Sequence, residues 1–378
     1  MTSHRFLSNV LCVRSSAIAA LAMAGVVWGA CGRSNDLHAA VQPARTPVTA
    51  LASGFTLDGP FTHENLSVYV VRGSTTDARD YITLDEGLAA RTVTVREKGS
   101  AAGRDRSEVN ELEIENRSDK WLFLQAGDIV KGGKQDRTIM TDLALAPRSG
   151  PQPLEAFCVE HGRWVPSADG MAFRNNPGLV AGASLKRAIQ GEKNQSRVWQ
   201  EVAKAESRAV AAVLIEAGPA AAAPPRLSST GTYNAIAENK TVSTSRDAYV
   251  RALLPTIRKH TKAIGLAVAI NGKVTSADVY ASPALFQRMT EKLLNSYALE
   301  GFLARDASLN VSAPAKEQVV AFLSKPATTA VVTETVGKSM QRSTRETDEV
   351  VMYEYSHVAK ATVAKPDVVV VHQSYLKK

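Results

Sequence analysis

The dipeptide Asn271-Gly272 constrains the fold of this chain most, because it separates two runs that are rich in β-forming residues. Both residues tolerate positive φ, which the two-residue turns of β-hairpins require. The sequence therefore predicts a hairpin centred on this dipeptide. Pairing through a two-residue turn places Ile270 opposite Lys273 and Gly265 opposite Asp278.

The segment that follows the hairpin predicts a helix. Ser282 and Pro283 are typical of an N-cap and a first helical position. Apolar residues then recur at helical spacing and give the segment one apolar face: Leu285, Met289, Leu293 and Tyr297.

The rest of the chain divides into β-rich and helical stretches. Strands are predicted by alternation or by β-branched residues at 66–71, 91–96, 110–115, 121–124, 138–146, 154–164, 350–355 and 368–371. We expect 110–115 and 121–124 to pair as a hairpin and 77–87 to form a polar connection. Helical spacing predicts one helix from Asn194 to just before Gly218, and another from about Arg246 to His260. This order favours an α+β fold with a β-rich N-terminal half, central helices and a β-rich C-terminal tail.

Residues 1–40 have the composition of a removable signal segment. Arg5 and Arg14 precede an apolar stretch of small residues that is too short to span a bilayer comfortably. Leu37-His38-Ala39 resembles a signal peptidase site, whereas Gly29-Ala30-Cys31 resembles the end of a lipobox, in which Cys31 would be acylated. Trp28 counts against the lipobox, and both cleavage sites stay open. We expect an exported protein, either periplasmic or secreted, or a lipoprotein anchored through Cys31.

Composition and charge limit the function classes. Residues 41–52 read as a linker, and 53–378 as a single α+β domain with a surface connection at 218–230. Apolar residues make up 44% of the chain, which argues against disorder for its bulk. The net charge of +8 is spread along the chain without a run of Lys and Arg, so we expect no nucleic-acid partner.

Four separated blocks of the chain resemble a known family and occur in the same order as in that family. They are Val109 to Lys120, Ala126 to Arg137, Cys158 to Trp164 and Gly265 to Glu300. Together they resemble the ARG and rhodanese-phosphatase-superfamily-associated protein domain. The resemblance implies an α+β domain suspected of enzymatic action in prokaryotic conflict or signalling contexts.

The segment from Gly127 to Arg137 is the first candidate site, because its charges flank the pair Gly132-Gly133. A turn of this kind can direct backbone N–H groups and cations at an anion. It is not a P-loop, since Gln135 stands where the Walker pattern has a magnesium-binding hydroxyl. The alternative is a glycine turn with solvated charges. The candidate catalytic residues here are Asp128, Lys131, Lys134, Gln135, Asp136 and Arg137.

A second candidate group follows Cys158. If this segment is a strand, Cys158 and His161 point to opposite faces and cannot form a dyad, so a small buried thiol is the favoured state of Cys158. Glu160 and Arg163 are kept as candidate polar site residues. With so few Cys and His residues a zinc site would lack ligands, and we expect neither a metal nor a cofactor.

Asp278 is the last candidate. In the predicted hairpin it shares a face with Val274, so it is either partnered inside the protein or placed at a cleft. The common hydrolase and calcium-loop motifs are absent from the sequence.

Two functions stay open. The first is an enzyme that acts on an anionic or polar substrate through residues 127–137. The second is a non-catalytic envelope domain that binds a small polar or anionic ligand or an envelope protein. A purely structural exported domain is a third possibility. Membrane association is expected only through a lipid on Cys31.

Overall fold

The fold is taken from a computed structural model of the chain, which describes residues 54–99, 110–168, 170–218, 226–306, 308–309, 312–358 and 368–378. The leader, Cys31 and the linker lie outside these residues, as does the part of the predicted surface connection at 219–225. The described residues all belong to one compact unit of the chain.

The strands of the described residues form three sheets. An eight-stranded sheet has the order β1-β2-β12-β13-β17-β16-β15-β14, a six-stranded sheet has the order β11-β7-β8-β10-β5-β4, and a three-stranded sheet has the order β3-β6-β9. The strands are β1 (Thr56–His63), β2 (Leu66–Arg72), β3 (Tyr81–Thr83), β4 (Val93–Glu97), β5 (Glu111–Asn116), β6 (Trp121–Leu124), β7 (Asp128–Gly132), β8 (Arg137–Ile139), β9 (Leu143–Leu145), β10 (Gln152–Cys158), β11 (Phe173–Val180), β12 (Gly265–Ile270), β13 (Lys273–Tyr280), β14 (Val331–Val336), β15 (Met340–Glu346), β16 (Val350–Val358) and β17 (Val368–Lys377).

Along the chain, the helices come mainly between strands β2 and β12 of the large sheet. They are α1 (Leu84–Ala89), α2 (Ala183–Arg187), α3 (Gln195–Ala217), α4 (Tyr233–Glu238), α5 (Lys240–Arg258), α6 (Pro283–Leu303) and α7 (Lys316–Ser324). A π-helical turn at Ala188–Glu192 follows α2, and a 3-10 turn at Lys325–Thr328 follows α7. The α+β class is confirmed, with helices in the centre and strands at both ends.

Helix α6 is the centre of the main core. Ser282 caps it by accepting a hydrogen bond from the Leu285 amide, as predicted, and its residues are buried around most of its circumference. It packs against β2, β12 and β13 of the large sheet and against β3 and β11 of the smaller sheets. The opposite face of the large sheet is covered by α7, where Phe322 and Leu323 join a second apolar cluster. The central strands β2 and β12 of the large sheet are therefore buried on both faces, which explains their near-continuous apolar sequences, whereas the edge strands β1 and β14 are partly exposed.

The Asn271-Gly272 turn is confirmed, since φ is +50° at Asn271 and +70° at Gly272 and Ile270 pairs with Lys273. The predicted pairing of Gly265 with Asp278 is wrong, because Gly265 pairs with Val279.

A β-bulge causes this shift in the hairpin. Val268 pairs with Ser276 and Ala269 with Val274, which leaves Thr275 as an extra residue. A bulge moves every later side chain to the other face of the sheet. Val274 accordingly packs on the α7 side, and Asp278 points to the α6 side instead of sharing the face of Val274.

The predicted hairpin of 110–115 with 121–124 is also wrong. Strand β5 pairs with β4 and β10, whereas β6 pairs with β3 and β9, so the two segments lie in different sheets. Asn116 stabilises the connection, because its side chain accepts hydrogen bonds from Ser118 and donates to the carbonyls of Lys120 and Ala146.

Three predicted segments have different bounds or types. Residues 77–87 contain β3 and most of α1, whose capping box joins Thr83 and Glu86. The strand expected over 138–146 is interrupted between β8 and β9, and the one expected over 154–164 ends at Cys158. Glu160 and His161 therefore lie beyond the strand, and the alternation of faces that was predicted for them does not apply.

Candidate functional site

The segment from Gly127 to Arg137 is a β-hairpin that lies inside the protein. Strands β7 and β8 pair Ile129 with Thr138 and Val130 with Arg137. The turn needs glycine, since φ is +51° at Gly133 and an added Cβ there would lie 2.3 Å from the Phe173 ring. Its charged and amide side chains are almost fully covered, with exposures of 1% for Asp128, 7% for Lys134, 4% for Gln135, 2% for Asp136 and 0% for Arg137.

These buried charges cannot form the solvated turn that was the alternative at the sequence level. Lys131 is the exception, because it is half-buried and forms an ion pair of 2.5 Å with the exposed side chain of Glu238. A buried charge is tolerated only with a partner, and Asp128, Asp136 and Arg137 each have a side chain of opposite charge beside them.

Arg163 is the main partner of the hairpin turn. Its guanidinium forms ion pairs of 2.6 Å with Glu160 and 3.4 Å with Asp136. It also donates to the backbone carbonyls of Gly132 and Gly133, at 3.3 and 2.7 Å. One cation thus holds the turn closed through two carboxylates and two carbonyls.

Asp136 completes this arrangement, which we call the Arg163 cluster (Asp136, Glu160, Arg163, Thr232 and Asn234). The Asp136 carboxylate accepts hydrogen bonds from Thr232 at 2.7 Å and Asn234 at 2.6 Å. Burial alone would raise the pKa of Glu160, but the hydrogen bonds from Arg163, Thr230 and the Asp136 amide lower it. Both carboxylates are saturated with internal donors.

Arg137 forms a second buried ion pair behind the turn. Its guanidinium lies 3.2 Å from the Glu97 carboxylate and donates to the Cys158 Sγ at 2.8 Å. Burial raises the pKa of the Cys158 thiol, and the neighbouring cation only partly opposes this. Cys158 is therefore the buried thiol that its residue type suggested, while His161 packs its ring against Trp199.

Asp278 lies at the centre of a separate group, the Asp278 network (Gln125, Asp142, Lys186, Asp278, Tyr297 and His372). Its carboxylate, which is 0% exposed, accepts from Gln125 at 2.9 Å, from Lys186 at 3.1 Å and from Tyr297. His372 Nε2 lies 3.1 Å from the same carboxylate, and His372 Nδ1 lies 2.6 Å from Asp142.

The electrostatics of the Asp278 network favour its charged forms. Burial alone would raise the pKa of Asp278, but Lys186 and His372 lower it well below its usual range. Burial alone would lower the pKa of His372, but Asp142 and Asp278 raise it to about 9. An imidazolium held between two carboxylates is thus part of the interior at neutral pH.

Asp128 belongs with the Asp278 network and not with the hairpin turn. Its carboxylate lies 2.7 Å from Lys292 and accepts a hydrogen bond from the Gln125 amide. Burial alone would lower the pKa of Lys292, but Asp128 and Asp85 raise it.

The nine candidate side chains therefore do not meet in one place. Asp128 and Asp278 lie in or beside the Asp278 network, Lys131 lies at the surface, and the other six surround the hairpin turn. A catalytic site requires its side chains to converge where a substrate can reach them. None of the nine lines either of two cavities that lie along α3 and the end of α6.

An open cavity of about 620 Å³, the inner cavity, lies among α2, α3, the end of α6, the Asn271-Gly272 turn and the end of β17. Sequence reasoning did not find it. Much of its wall is apolar, formed by Leu185, Ala205, Ile270, Leu303 and Leu309. Five cations also line it: Arg187, Arg208, Lys273, Lys377 and Lys378.

The acidic residues of the inner cavity are already engaged. Glu201 pairs with Lys204 at 2.6 Å, and Glu300 accepts from the Ala183 amide at 2.6 Å. Burial raises the pKa of Glu300, which favours its neutral form. Lys378 pairs with Glu346. Among the described residues, no carboxylate lies within ion-pair distance of the other four cations, Arg187, Arg208, Lys273 and Lys377.

A second cavity of about 1030 Å³, the outer cavity, adjoins the inner one. The two share Arg208, Leu303, Ala304 and Leu309 in their walls, and the outer cavity continues along α3 to Ile215. Within the described ranges, no cluster of three or more His, Cys, Asp or Glu side chains could hold a metal ion. No helix among the described residues has the length and apolarity needed to cross a membrane.

Fold and interior together define an α+β domain with buried ionic networks beside a cation-lined cavity. The family model of the ARPP-1 domain, the ARG and Rhodanese-Phosphatase-superfamily-associated Protein domain, matches residues 54–376, and the chain belongs to this family. The predicted resemblance is thereby confirmed. No curated protein and no solved structure matches the chain.

Replacing Asp136 with Ala tests whether the hairpin charges are structural. We expect Asp136→Ala to lower the free energy of unfolding by about 3 kcal/mol, because Arg163, Thr232 and Asn234 all lose a buried acceptor. Chemical denaturation measures this. The matched control Lys131→Ala removes an exposed pair and should cost within about 0.5 kcal/mol. Equal stability of the two variants would contradict the assignment.

His372 predicts a pH dependence of stability. Its folded pKa of about 9 lies above the ordinary value of 6.5, so its contribution is complete below pH 6.5 and is lost as the pH rises through 9. Denaturant unfolding at a series of pH values should show a loss on the order of 3 kcal/mol across this window. His372→Gln should remove the slope, whereas His161→Gln, at an exposed ring, should keep it. The same slope in His372→Gln would sink the assignment.

Proposed function

We propose that the protein is an exported ligand-binding domain that takes a small molecule with negative charge into the inner cavity. The observation that carries this proposal is that Arg187, Arg208, Lys273 and Lys377 line one cavity, while no carboxylate of the described residues lies within ion-pair distance of any of them. Cations brought together in this way repel one another, and a bound anion relieves that repulsion. An apolar wall with a few polar groups is typical of small-molecule sites.

Binding is favoured over the alternative, an enzyme acting through residues 127–137. Asp136, Glu160 and Arg163 satisfy one another, and Arg137 pairs with Glu97 behind them. A general acid, base or nucleophile must reach a substrate atom within hydrogen-bond distance. These side chains would first have to break buried ion pairs to do so, which costs several kcal/mol.

The cation cluster can be tested with the anionic dye anilinonaphthalene sulfonate, which fluoresces in apolar surroundings. We expect the folded protein to bind the dye, and the double variant Arg187→Gln, Lys273→Gln to bind it about tenfold more weakly through the loss of two charge contacts. Fluorescence titration at low salt measures both affinities.

A matched double variant controls for net charge. Arg251 and Lys262 are exposed cations that line neither cavity. Arg251→Gln with Lys262→Gln should bind the dye as the unsubstituted protein does. Absence of dye binding, or an equal loss in both double variants, would overturn the proposed function.

Export is the second part of the proposal. Its support is the charged and apolar leader, with small residues at both candidate cleavage sites. The proposed location is periplasmic or secreted, with membrane attachment only through a lipid on Cys31. The proposed partners are a small polar or anionic ligand or an envelope protein.

Mass spectrometry of the protein from an envelope fraction tests export. We expect a mature N-terminus close to residue 40, or a diacylglycerol-modified Cys31 if the lipoprotein site is used. A chain that retains Met1 in that fraction would contradict cleavage.

A further inference from the structure

The inner and outer cavities together form one groove with different ends. They share the wall residues Arg208, Leu303 and Leu309, so a ligand can pass from one to the other without leaving the protein surface. The inner end carries Lys273 and Lys377, while the outer end carries neither. The groove is therefore polarised along its length.

The walls between these ends are apolar and partly open to solvent. Ile215 on α3 is 69% exposed and Leu309 is 49% exposed, although both line the outer cavity. Ala212 and Ala205 lie about one and three turns before Ile215 on the same side of α3, where their small side chains leave space in the groove. Aliphatic side chains that are exposed to solvent along a groove form a surface on which an apolar ligand can pack.

The charges at the outer end oppose an anion there. Glu64 and Asp306 line the outer cavity, and the cation Arg305 is already paired with Glu216. Negative charge is thus disfavoured at the outer end and favoured at the inner end, where Arg187, Lys273 and Lys377 converge. This difference fixes the direction in which a ligand with one charged end would lie.

We propose that the ligand is an anionic single-chain amphiphile of the fatty-acid type. Its head group lies at Arg187, Lys273 and Lys377, and its alkyl chain runs past Leu303 and Leu309 towards Ile215. This inference rests on the proposed function, because it specifies the chemistry of the molecule that the inner cavity binds. The inner cavity of about 620 Å³ holds the head and the first part of the chain, and the outer cavity of about 1030 Å³ leaves room for the rest.

The test measures how well hexanoate, decanoate and tetradecanoate displace anilinonaphthalene sulfonate from the full chain, below the concentrations at which they form micelles. Affinity should rise by about fourfold for each methylene group that becomes buried. Decanol, which has no negative charge, should displace the dye much more weakly than decanoate.

Two variants locate the alkyl chain. Ile215→Asn makes the outer cavity polar at an exposed helical position and should weaken tetradecanoate without changing hexanoate. Val320→Asn is the matched control, since Val320 is a 41% exposed aliphatic residue on α7 that lines neither cavity. Melting temperatures verify that both variants fold, and Leu309→Asn replaces Ile215→Asn if the latter does not.

The outcomes separate this inference from the proposed function. Three results would overturn the amphiphile proposal: an affinity that does not change with chain length, equal displacement of the dye by decanol and decanoate, or equal effects of the two Asn variants. Dye binding that depends on the cations would still support an anion site in each of these cases. The amphiphile proposal would also be overturned if the dye binds but none of the three carboxylates displaces it. Failure of dye binding itself would overturn both.

Discussion

The burial of one carboxylate, that of Asp278, is the constraint on which the rest of this structure depends. A charge with no exposure to solvent must be neutralised where it lies, and the cost of leaving it unpaired is several kcal/mol. Its partners come from four distant parts of the chain, namely the loop after β6, helix α2, helix α6 and strand β17. Satisfying this single group therefore requires the sheets and helices to meet in one arrangement.

The bulge at Thr275 is what turns Asp278 towards those partners. The sequence predicts the turn, both strands and the following helix, because each depends on local signals such as Asn271-Gly272 and Ser282-Pro283. It does not predict the bulge, since the residues around Thr275 continue to look like an ordinary alternating strand. One extra residue reverses the faces of all residues that follow it in the strand, so Asp278 was placed on the wrong side of the sheet although the turn, the two strands and the next helix were predicted correctly.

For charged residues, too, the sequence alone could not predict which partners they have in the fold. Residues 127–137 were recognised as unusual because of their charge and glycine content, but their partners Glu97, Arg163 and Asn234 lie elsewhere in the sequence. A local pattern cannot distinguish a charge that awaits a ligand from one that is already paired. The cations of the inner cavity are the opposite case. Arg187, Lys273 and Lys377 stand in ordinary contexts, and only the fold brings them together.

Helix α2 connects the buried network to the cavity. Lys186 points inward to Asp278, while its neighbours Leu185 and Arg187 line the inner cavity. Successive side chains of a helix point in directions about 100° apart, so fixing Lys186 by a buried ion pair also fixes where Arg187 can reach. A short helix without a side-chain N-cap would otherwise be held weakly. The buried ion pairs thus supply the rigidity that the proposed anion site requires, and the residues proposed to bind the ligand are not those that are most buried or whose pKa is most shifted.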